Sequence, residues 1–323
     1  MSILQNLVSR GLSNIVLVDR GRKFESATAN SGGMVRVFHE NPHHVQLALG
    51  NHRKLMHLLS KGVLGHESPC NGSLYFFNHQ RFGSYQQTLK KMSRANYPFE
   101  IIYPCEGRKR FPAFQWHPDD LAIYEALGRQ LNPHTFVDSL LNASRRPGVS
   151  VLEDFEARRI RPHLNRYIIS GNEQTLTAKT LILAGGAALL PRLQDLGLTL
   201  SLESQTLTAY VADKIEKNFQ IPNYLDRETL EFGGFGQAET VVLSHTTQKR
   251  LREENWQSKF RTRFARDCYA PNRMGFLGQI AGHSQLFLAT GWGGTAFKFA
   301  LELGQRMGRI IEKTLLKKGE LYA

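Results

Sequence analysis

The chain has 323 residues and a net charge of +13 at pH 7, and 41% of its residues are hydrophobic. This size and composition predict a soluble cytoplasmic protein of one large or two medium domains, with neither a membrane span nor a secretion signal. The three cysteines are widely spaced and predict no disulfide framework or metal site, and the dispersed basic residues argue against nucleic-acid binding.

The N-terminal segment reads as a helix, a glycine, a strand and an acid. Apolar residues at helical spacing are followed by Gly11, which is typical of a helix end. The continuous apolar run Ile15–Val18 predicts a parallel strand that is buried on both faces. Asp19 follows this strand, where the acid of a dinucleotide-binding βαβ unit holds the ribose hydroxyls, and Arg20 comes next. The segment therefore predicts the second half of such a unit.

The first half of that unit would lie before Met1. A dinucleotide-binding βαβ unit begins with a strand and a G-x-G-x-x-G turn, and neither precedes the helix in this sequence. Two explanations stay open: the start of the chain is misassigned or truncated, or the protein is a divergent homologue that has lost cofactor binding. Loss of a central strand would interrupt a parallel sheet, which favours the first explanation.

A loop rich in small and hydroxyl-bearing residues comes next. Such residues allow the backbone to approach a ligand closely. The loop residues expected near the ligand are Ser26, Asn30, Ser31, Gly32 and Gly33. Two basic residues, Arg36 and His39, follow this loop, and a flexible surface loop is the alternative interpretation of the segment. A helix is predicted for residues 43–61.

The middle of the chain alternates predicted strands and helices. Residues 73–78 predict a strand that opens a second domain, and residues 133–144 predict a long helix that returns to the first. An apolar strand over residues 177–186 ends in Ala–Gly–Gly, which lets the chain turn tightly beneath a cofactor. Residues 233–236, which are rich in glycine, are predicted to form a hairpin turn between two strands.

The most informative segment lies near the C-terminus. An apolar strand from Leu286 to Ala289 leads into a glycine turn and a predicted helix over residues 295–316. A strand, a glycine loop and a helix N-terminus present bare N–H groups to an anion or a polar ring edge. Lys298 lies in the first helical turn, where the helix dipole disfavours a cation. A ligand explains this lysine better than helix stability does, and a solvated lysine in an ordinary βα turn is the alternative.

These segments together resemble the D-amino-acid-oxidase-like flavoproteins, the family that includes glycine oxidase and monomeric sarcosine oxidase. The resemblance rests on the run Thr–Gly–Trp–Gly–Gly–Thr–Ala–Phe–Lys at residues 290–298, on Leu–Ile–Leu–Ala–Gly–Gly at 181–186 and on the segment 266–278, all in the family's order. It implies FAD as the cofactor. The cofactor-binding residues that it implies are Asp19, Arg20, Ser26, Asn30, Ser31, Gly32, Gly33, Ala157, Ala184, Gly185, Gly186, Gly291, Gly293, Gly294, Thr295 and Lys298.

The resemblance also implies a fold and a domain organisation. The expected α/β fold has a Rossmann-like FAD-binding domain, truncated at its N-terminus, into which an α+β substrate domain on a mixed or antiparallel sheet is inserted. The FAD-binding domain is expected at residues 1–60, 134–198 and 266–323, and the substrate domain at 61–133 and 199–265.

One cysteine has a special place in the resemblance. In the sarcosine-oxidase branch, a cysteine in the segment that corresponds to residues 266–278 bonds covalently to the flavin. Cys268 lies close to that place. A buried free thiol is the alternative, because burial is the commonest environment of cysteine.

The implied activity is FAD-dependent oxidation of the C–N bond of an amino acid or a secondary amine to an imine. The flavin accepts the hydride and the protein orients the substrate. Arg36 and Lys298 are the expected catalytic residues, because an arginine fork and a lysine hold a substrate carboxylate. The branch that uses oxygen carries a lysine on the strand corresponding to residues 237–245, which has none here. The alternative is a cofactor-incompetent homologue that acts as a partner or scaffold subunit.

Overall fold

The computed structural model describes residues 1–21, 26–65, 70–213, 221–235, 240–245, 249–252, 259–283 and 285–317. The helices are α1 (Ser2–Ser9), α2 (Pro42–Ser60), α3 (Gln86–Arg94), α4 (Pro104–Arg110), α5 (Pro133–Asn142), α6 (Leu190–Asp195) and α7 (Ala296–Lys317). The first strands are β1 (Ile15–Val18), β2 (Met34–Val35), β3 (Ser73–Asn78), β4 (Glu100–Ile102), β5 (Asp120–Glu125), β6 (Arg129–Gln130), β7 (Val149–Leu152), β8 (Arg159–His163) and β9 (Arg166–Ser170). The later strands are β10 (Thr175–Ala178), β11 (Leu181–Leu183), β12 (Glu203–Asp213), β13 (Asn223–Asp226), β14 (Phe232–Phe235), β15 (Thr240–Leu243), β16 (Arg261–Tyr269), β17 (Phe276–Gln279) and β18 (Leu286–Thr290). The predicted α/β class is confirmed.

Two helices begin with the same local signature. The side chain of Asn41 accepts a hydrogen bond from the backbone N–H of His43 at 2.8 Å, and Pro42 opens α2. Asn132 likewise caps α5, with its Oδ1 atom 2.9 Å from the backbone nitrogen of His134. An asparagine at the N-cap satisfies N–H groups that the helix leaves free, and proline suits the first helical position. These pairs explain why α2 and α5 begin where they do.

The largest sheet belongs to the predicted substrate domain. Its eight strands run in the order β16-β12-β15-β14-β13-β3-β5-β4. All neighbouring pairs are antiparallel except β13 and β3, so the sheet is mixed, as expected. The boundary expected between residues 265 and 266 falls inside β16, which stays in the sheet until Tyr269 pairs with Glu203.

The prediction of a hairpin turn at residues 233–236 is wrong for the residues of this stretch that the structure describes. Residues 232–235 form β14, which pairs with β13 on one side and β15 on the other. A Cβ atom on Gly234 would lie 2.7 Å from the side-chain nitrogen of Gln130 and 3.1 Å from the carbonyl oxygen of Gly32. The glycine therefore allows the small-residue loop to lie against the sheet, which is the other reason for glycine in a strand.

Parallel strands form the framework of the predicted FAD-binding domain. β1 pairs with β7, and β11 pairs with β18, both in parallel. Ile15, at the start of β1, belongs to the same hydrophobic cluster as Ile182 and Phe287, while Val18, at its end, belongs to the cluster of Leu183 and Leu288. Within each pair the strands run in one direction, with their carboxyl ends on one side, and the shared clusters show that β1 packs near β11 and β18.

Helix α7 packs against α1 and α2 and carries Lys298 at its N-terminal end. A Cβ atom on Gly304 would lie 2.5 Å from the carbonyl oxygen of Ser2, so glycine permits the close contact with α1. The side chain of Asn51 on α2 accepts a hydrogen bond from the backbone N–H of Leu301 at 2.9 Å. These contacts set the position of Lys298. Among the helices of the described residues, none has the length and hydropathy of a membrane span.

Candidate active site

The glycine turn after β18 is held tightly against its neighbours. Gly291 and Gly293 have positive φ angles of 81° and 51°. A Cβ atom on Gly293 would lie 2.0 Å from the ring of Tyr269, so no larger residue fits without displacement. The hydroxyl of Thr295 donates to the carbonyl oxygen of Trp292 at 2.6 Å. The turn is thus a compact link between the strand end and the start of α7.

Lys298 is a half-buried cation at the start of α7. Its Nζ atom donates to the carbonyl oxygen of Gly294 at 3.1 Å, and no carboxylate of the described residues forms an ion pair with it. Burial first, and then the charge of Arg36, lower the pKa of Lys298 to about 7, against the opposing effect of Asp267. An anionic ligand would offset both the cost of burying the Lys298 charge and the repulsion between Lys298 and Arg36.

Arg36 is buried beside Lys298. It is 6% exposed, it donates from Nη1 to the carbonyl oxygen of Phe38, and its guanidinium lies 5.1 Å from the centre of the Tyr75 ring. Burial lowers the pKa of Arg36, and the nearby Glu125 opposes that shift. Glu125 itself accepts backbone hydrogen bonds from Val37 at 2.6 Å and Phe38 at 2.9 Å. This carboxylate therefore fixes the backbone that presents Arg36.

His39 and His44 pack against the same aromatic ring near these cations. The His39 ring centre lies 5.1 Å from that of Phe299 and 5.8 Å from that of His44. His39 is 5% exposed, and its pKa is lowered far below its ordinary value by burial first, then by Arg36, Lys298 and His44. His39 is thus neutral at physiological pH in the ligand-free protein.

Several polar atoms around this cluster have no partner. In the described part of the chain, the buried side-chain atoms without a hydrogen bond include Arg36 Nε, His39 Nε2 and Trp292 Nε1. Trp292 belongs to the same packing arrangement, with its ring centre 6.1 Å from that of Phe299. A buried polar atom without a partner costs about 1–3 kcal/mol of desolvation. Convergence of such atoms beside two cations is typical of a site that a polar, anionic group completes.

The small-residue loop lies between this cluster and the large sheet. Gly33 has a φ angle of 64°, and a Cβ atom there would lie 1.9 Å from the carbonyl oxygen of Leu131. Gln130 donates to the carbonyl oxygen of Gly32 at 2.5 Å. The Ser31 hydroxyl accepts from the backbone N–H of Gly33 at 3.3 Å. The loop is therefore bound tightly to β6.

Ser26 and Asn30 close the start of this loop on itself. The Ser26 hydroxyl accepts from the backbone N–H of Ala29 at 3.5 Å, and its carbonyl oxygen accepts from the Asn30 side chain at 3.1 Å. These two side chains serve local turns in the structure.

The remaining predicted cofactor residues lie beyond the ends of the parallel strands. Asp19 is exposed, and its Oδ1 atom accepts from the backbone N–H of Gly21 at 3.0 Å; Arg20 is exposed beside it. Gly185 is exposed beyond β11, as is Ala184 before it, and the following Gly186 has a φ angle of 58°. Open α/β sheets bind ligands at this carboxyl edge.

Ala157 lies farther along the chain from β7. Its carbonyl oxygen accepts from the guanidinium of Arg192 at 3.2 Å, and its side chain packs on the cluster that contains Leu183 and Leu288. It therefore lies beneath the β11 and β18 strand pair.

Cys268 is buried against the end of β18 and the start of the glycine turn. It is 1% exposed, and its thiol lies against Thr290, with burial raising its pKa. The preceding residue, Asp267, interacts electrostatically with Lys298. Because successive side chains of a strand point to opposite faces, Cys268 lies on the face opposite Asp267. This placement favours the alternative reading, a buried free thiol.

Comparison with known proteins supports a single family. The family model described as "FAD dependent oxidoreductase" matches residues 1–310. The chain belongs to this family of FAD-dependent oxidoreductases. A monomeric sarcosine oxidase from Streptomyces avermitilis is 27% identical over 120 residues, which is 37% of this chain and 31% of that protein. The match thus spans about a third of the curated relative.

Solved structures of the family share the fold. The L-proline dehydrogenase of P. horikoshii superimposes with a TM-score of 0.84 at 14% identity, covering 99% of this chain and 95% of that one. A glycine oxidase from Geobacillus kaustophilus superimposes with a TM-score of 0.80, also at 14% identity, over 97% and 91% of the two chains.

The described residues fit the family's cofactor. The flavin ring system has polar edges, and the glycine turn before Lys298 offers backbone N–H groups at the carboxyl end of a strand. The unpartnered Arg36 and Trp292 nitrogens offer further donors. FAD is therefore chemically compatible with the glycine turn and with the neighbouring side chains of Arg36 and Trp292.

Proposed function

We propose that this chain oxidises the C–N bond of an amino acid or a secondary amine to an imine with FAD as cofactor. The observation that carries the proposal is the pair of buried or half-buried cations, Arg36 and Lys298, without an ion-pair partner among the described residues beside a glycine turn. The names of the similar proteins support this substrate class, since proline, glycine and sarcosine are all amino acids.

The residues proposed to hold FAD lie at the carboxyl ends of the parallel strands and in the loops beside them. They are Asp19, Arg20, Ser26, Asn30, Ser31, Gly32, Gly33, Ala157, Ala184, Gly185, Gly186, Gly291, Gly293, Gly294, Thr295 and Lys298. Hydride acceptance is the chemistry that the flavin supplies when bound.

The chain's own residues hold the substrate. Lys298 and Arg36 bind the carboxylate, which fixes the position of the substrate Cα atom. Glu125 keeps the Arg36 segment in place through two backbone hydrogen bonds. Trp292 and Tyr75, both buried, exclude water from the cations and so strengthen their attraction for the carboxylate.

A flavin titration tests the cofactor and the reaction together. We expect the protein to bind FAD with a perturbed flavin spectrum, and we expect proline, sarcosine or glycine to bleach the flavin band under anaerobic conditions. Lys298→Met should bind FAD but resist bleaching. If the protein binds no FAD at saturating concentration, the proposal is wrong and the alternative, a cofactor-incompetent partner or scaffold subunit, takes its place.

The electron acceptor is a separate question. The described residues 240–245 contain no lysine of the kind expected for oxygen activation. We therefore propose turnover with an artificial dye acceptor that exceeds turnover with oxygen. A cytoplasmic location and a partner subunit stay predictions from the sequence and the family resemblance.

A further inference from the structure

His39 has the environment of a ligand contact rather than of a packed core residue. Its side chain is 5% exposed, and its Nε2 atom has no hydrogen-bond partner among the described residues. The ring is held edge-on against Phe299, with centres 5.1 Å apart, so its orientation is set by packing. A rigid, buried and unpartnered nitrogen is costly to keep unless a ligand uses it.

The basic groups that face His39 come from three elements. Arg36 comes from its own segment, Lys298 from α7 and His44 from α2, and all three disfavour a further positive charge on His39. The adjacent acid Glu40 is already engaged, since the Tyr75 hydroxyl donates to it and Arg227 pairs with it.

Glu125 is engaged as well, with the backbone N–H groups of Val37 and Phe38. Glu40 and Glu125 therefore have other partners, and Asp267 faces Lys298, so the charged groups that act on His39 itself are the cations Arg36 and Lys298 and leave a cationic cluster around it. The group that complements it is an anion.

We propose that His39 donates a hydrogen bond from Nε2–H to the substrate carboxylate, as a third contact beside Arg36 and Lys298. This inference rests on the proposed function. A neutral imidazole suits this place because it adds a donor without adding a third full charge to a buried pair of cations. His39 thereby selects carboxylated amines over amines that lack a carboxylate.

Binding of two simple probes tests this contact. Propionate carries the carboxylate alone and propylamine carries the amine alone, and their Kd values are measured by titration calorimetry on the FAD-loaded protein. Loss of a hydrogen bond to a charged group predicts that His39→Leu weakens propionate binding roughly 10- to 100-fold. We expect the Kd of propylamine to stay unchanged.

Two further variants distinguish a hydrogen bond from His39 to the carboxylate from a packing role of the His39 ring. In His39→Gln, the side-chain amide nitrogen reaches about as far as Nε2, so most of the propionate affinity should return. His52→Leu is the matched control, because His52 is a half-buried histidine on α2 that packs edge-on against Tyr97 at 5.0 Å. It should bind propionate like the wild type.

Equal propionate affinity in wild type and His39→Leu would overturn the inference, as would a His39→Gln variant as weak as His39→Leu. A wild-type protein that binds no propionate would overturn it too. Failure of the proposed function looks different: propionate binds and depends on His39, yet no amino acid bleaches the flavin.

Discussion

Two buried arginines in this molecule have opposite surroundings. Arg250, 5% exposed in the substrate domain, donates to Asp120 and Asp226 at 2.5 Å each and to a backbone carbonyl at 2.7 Å. Arg36, 6% exposed beside the glycine turn, donates to one carbonyl oxygen and has an unpartnered Nε atom. The first arginine is satisfied by the fold, and we propose that the second is left for a ligand, which would distinguish a structural charge from a functional one.

Replacement of Arg250 should produce the largest effect. Arg250→Met leaves Asp120 and Asp226 buried without their cation, and breaking a buried pair in this way costs about 3–5 kcal/mol of unfolding free energy. Arg36→Met should cost less than Arg250→Met, because it removes the hydrogen bond to Phe38, the contact with the Tyr75 ring and the attraction of Glu125 but breaks no direct ion pair among the described residues. Urea unfolding at pH 7 measures both values. Equal destabilisation by the two changes would remove the distinction between the two arginines.

An exposed ion pair provides the control. Arg81 pairs with Glu228 at 2.8 Å on the surface, and Arg81→Met should change the unfolding free energy by less than about 1 kcal/mol. A large loss there would mean that the unfolding assay does not distinguish buried from exposed arginines in this protein.

Lys298 should matter for binding rather than for folding. We expect Lys298→Met to raise KM for a carboxylated substrate, with a loss of about 2–5 kcal/mol in the binding free energy, because one partner of a desolvated charge pair is removed. The same change should matter much less for a neutral amine analogue. Steady-state kinetics with both substrates measures the difference. Equal losses would mean that Lys298 serves the flavin or the fold, and the carboxylate role would have to be dropped.

The pH dependence of carboxylate binding tests the proposed role of Lys298. Its pKa of about 7 in the ligand-free protein means that the lysine is charged below pH 7 and neutral above it. The Kd of propionate should therefore be constant below pH 7 and rise by up to about tenfold per pH unit above it, since each unit corresponds to about 1.4 kcal/mol. Titration calorimetry from pH 6 to 9 measures this, and Lys298→Met should show no such rise.

Local elements of the fold were readable from the sequence. Ile15–Val18 and Ser73–Asn78 form strands with the predicted bounds, because continuous apolar runs end at residues that favour turns. The prediction that Ile15–Val18 is buried on both faces is wrong, since Val16 is 48% exposed. The predicted helices over residues 43–61 and 133–144 are found close to those bounds, where Asn–Pro pairs begin them. The glycine-rich stretch before residue 236 was wrongly predicted as a turn, because glycine in a strand also allows another segment to approach the backbone closely.

Only part of the candidate site could be predicted from the sequence, for a physical reason. Lys298 stood out as a cation in the first turn of a helix, and Arg36 stood out through the family resemblance. Glu125 did not, because its contact with the backbone of Val37 and Phe38 joins distant parts of the chain. An acid at the end of an apolar strand was its only sequence signal. Long-range contacts of this kind become visible only once the strands are placed.

The smallest expected effect concerns the stability of the ligand-free protein. The pKa of Lys298 is lowered from 10.5 to about 7, so the folded state disfavours its charge. The penalty is fully present below pH 7, decreases as pH rises towards 10.5, and is absent above that. Lys298→Met removes it, and for a half-exposed side chain we expect a gain of about 1 kcal/mol, which for a chain of 323 residues corresponds to roughly 1–2 °C in Tm at pH 6.

Thermal unfolding without ligand at pH 6 and at pH 10 measures this gain. Arg250→Met should lower Tm at both pH values, because it leaves Asp120 and Asp226 buried without their ion-pair partner, a loss that does not involve Lys298. A Lys298→Met variant that is less stable than the wild type at pH 6 would contradict the prediction and place Lys298 with Arg250 among the charges that the fold itself satisfies. A gain that disappears at high pH instead identifies Lys298 as a charge kept for a ligand at the expense of stability.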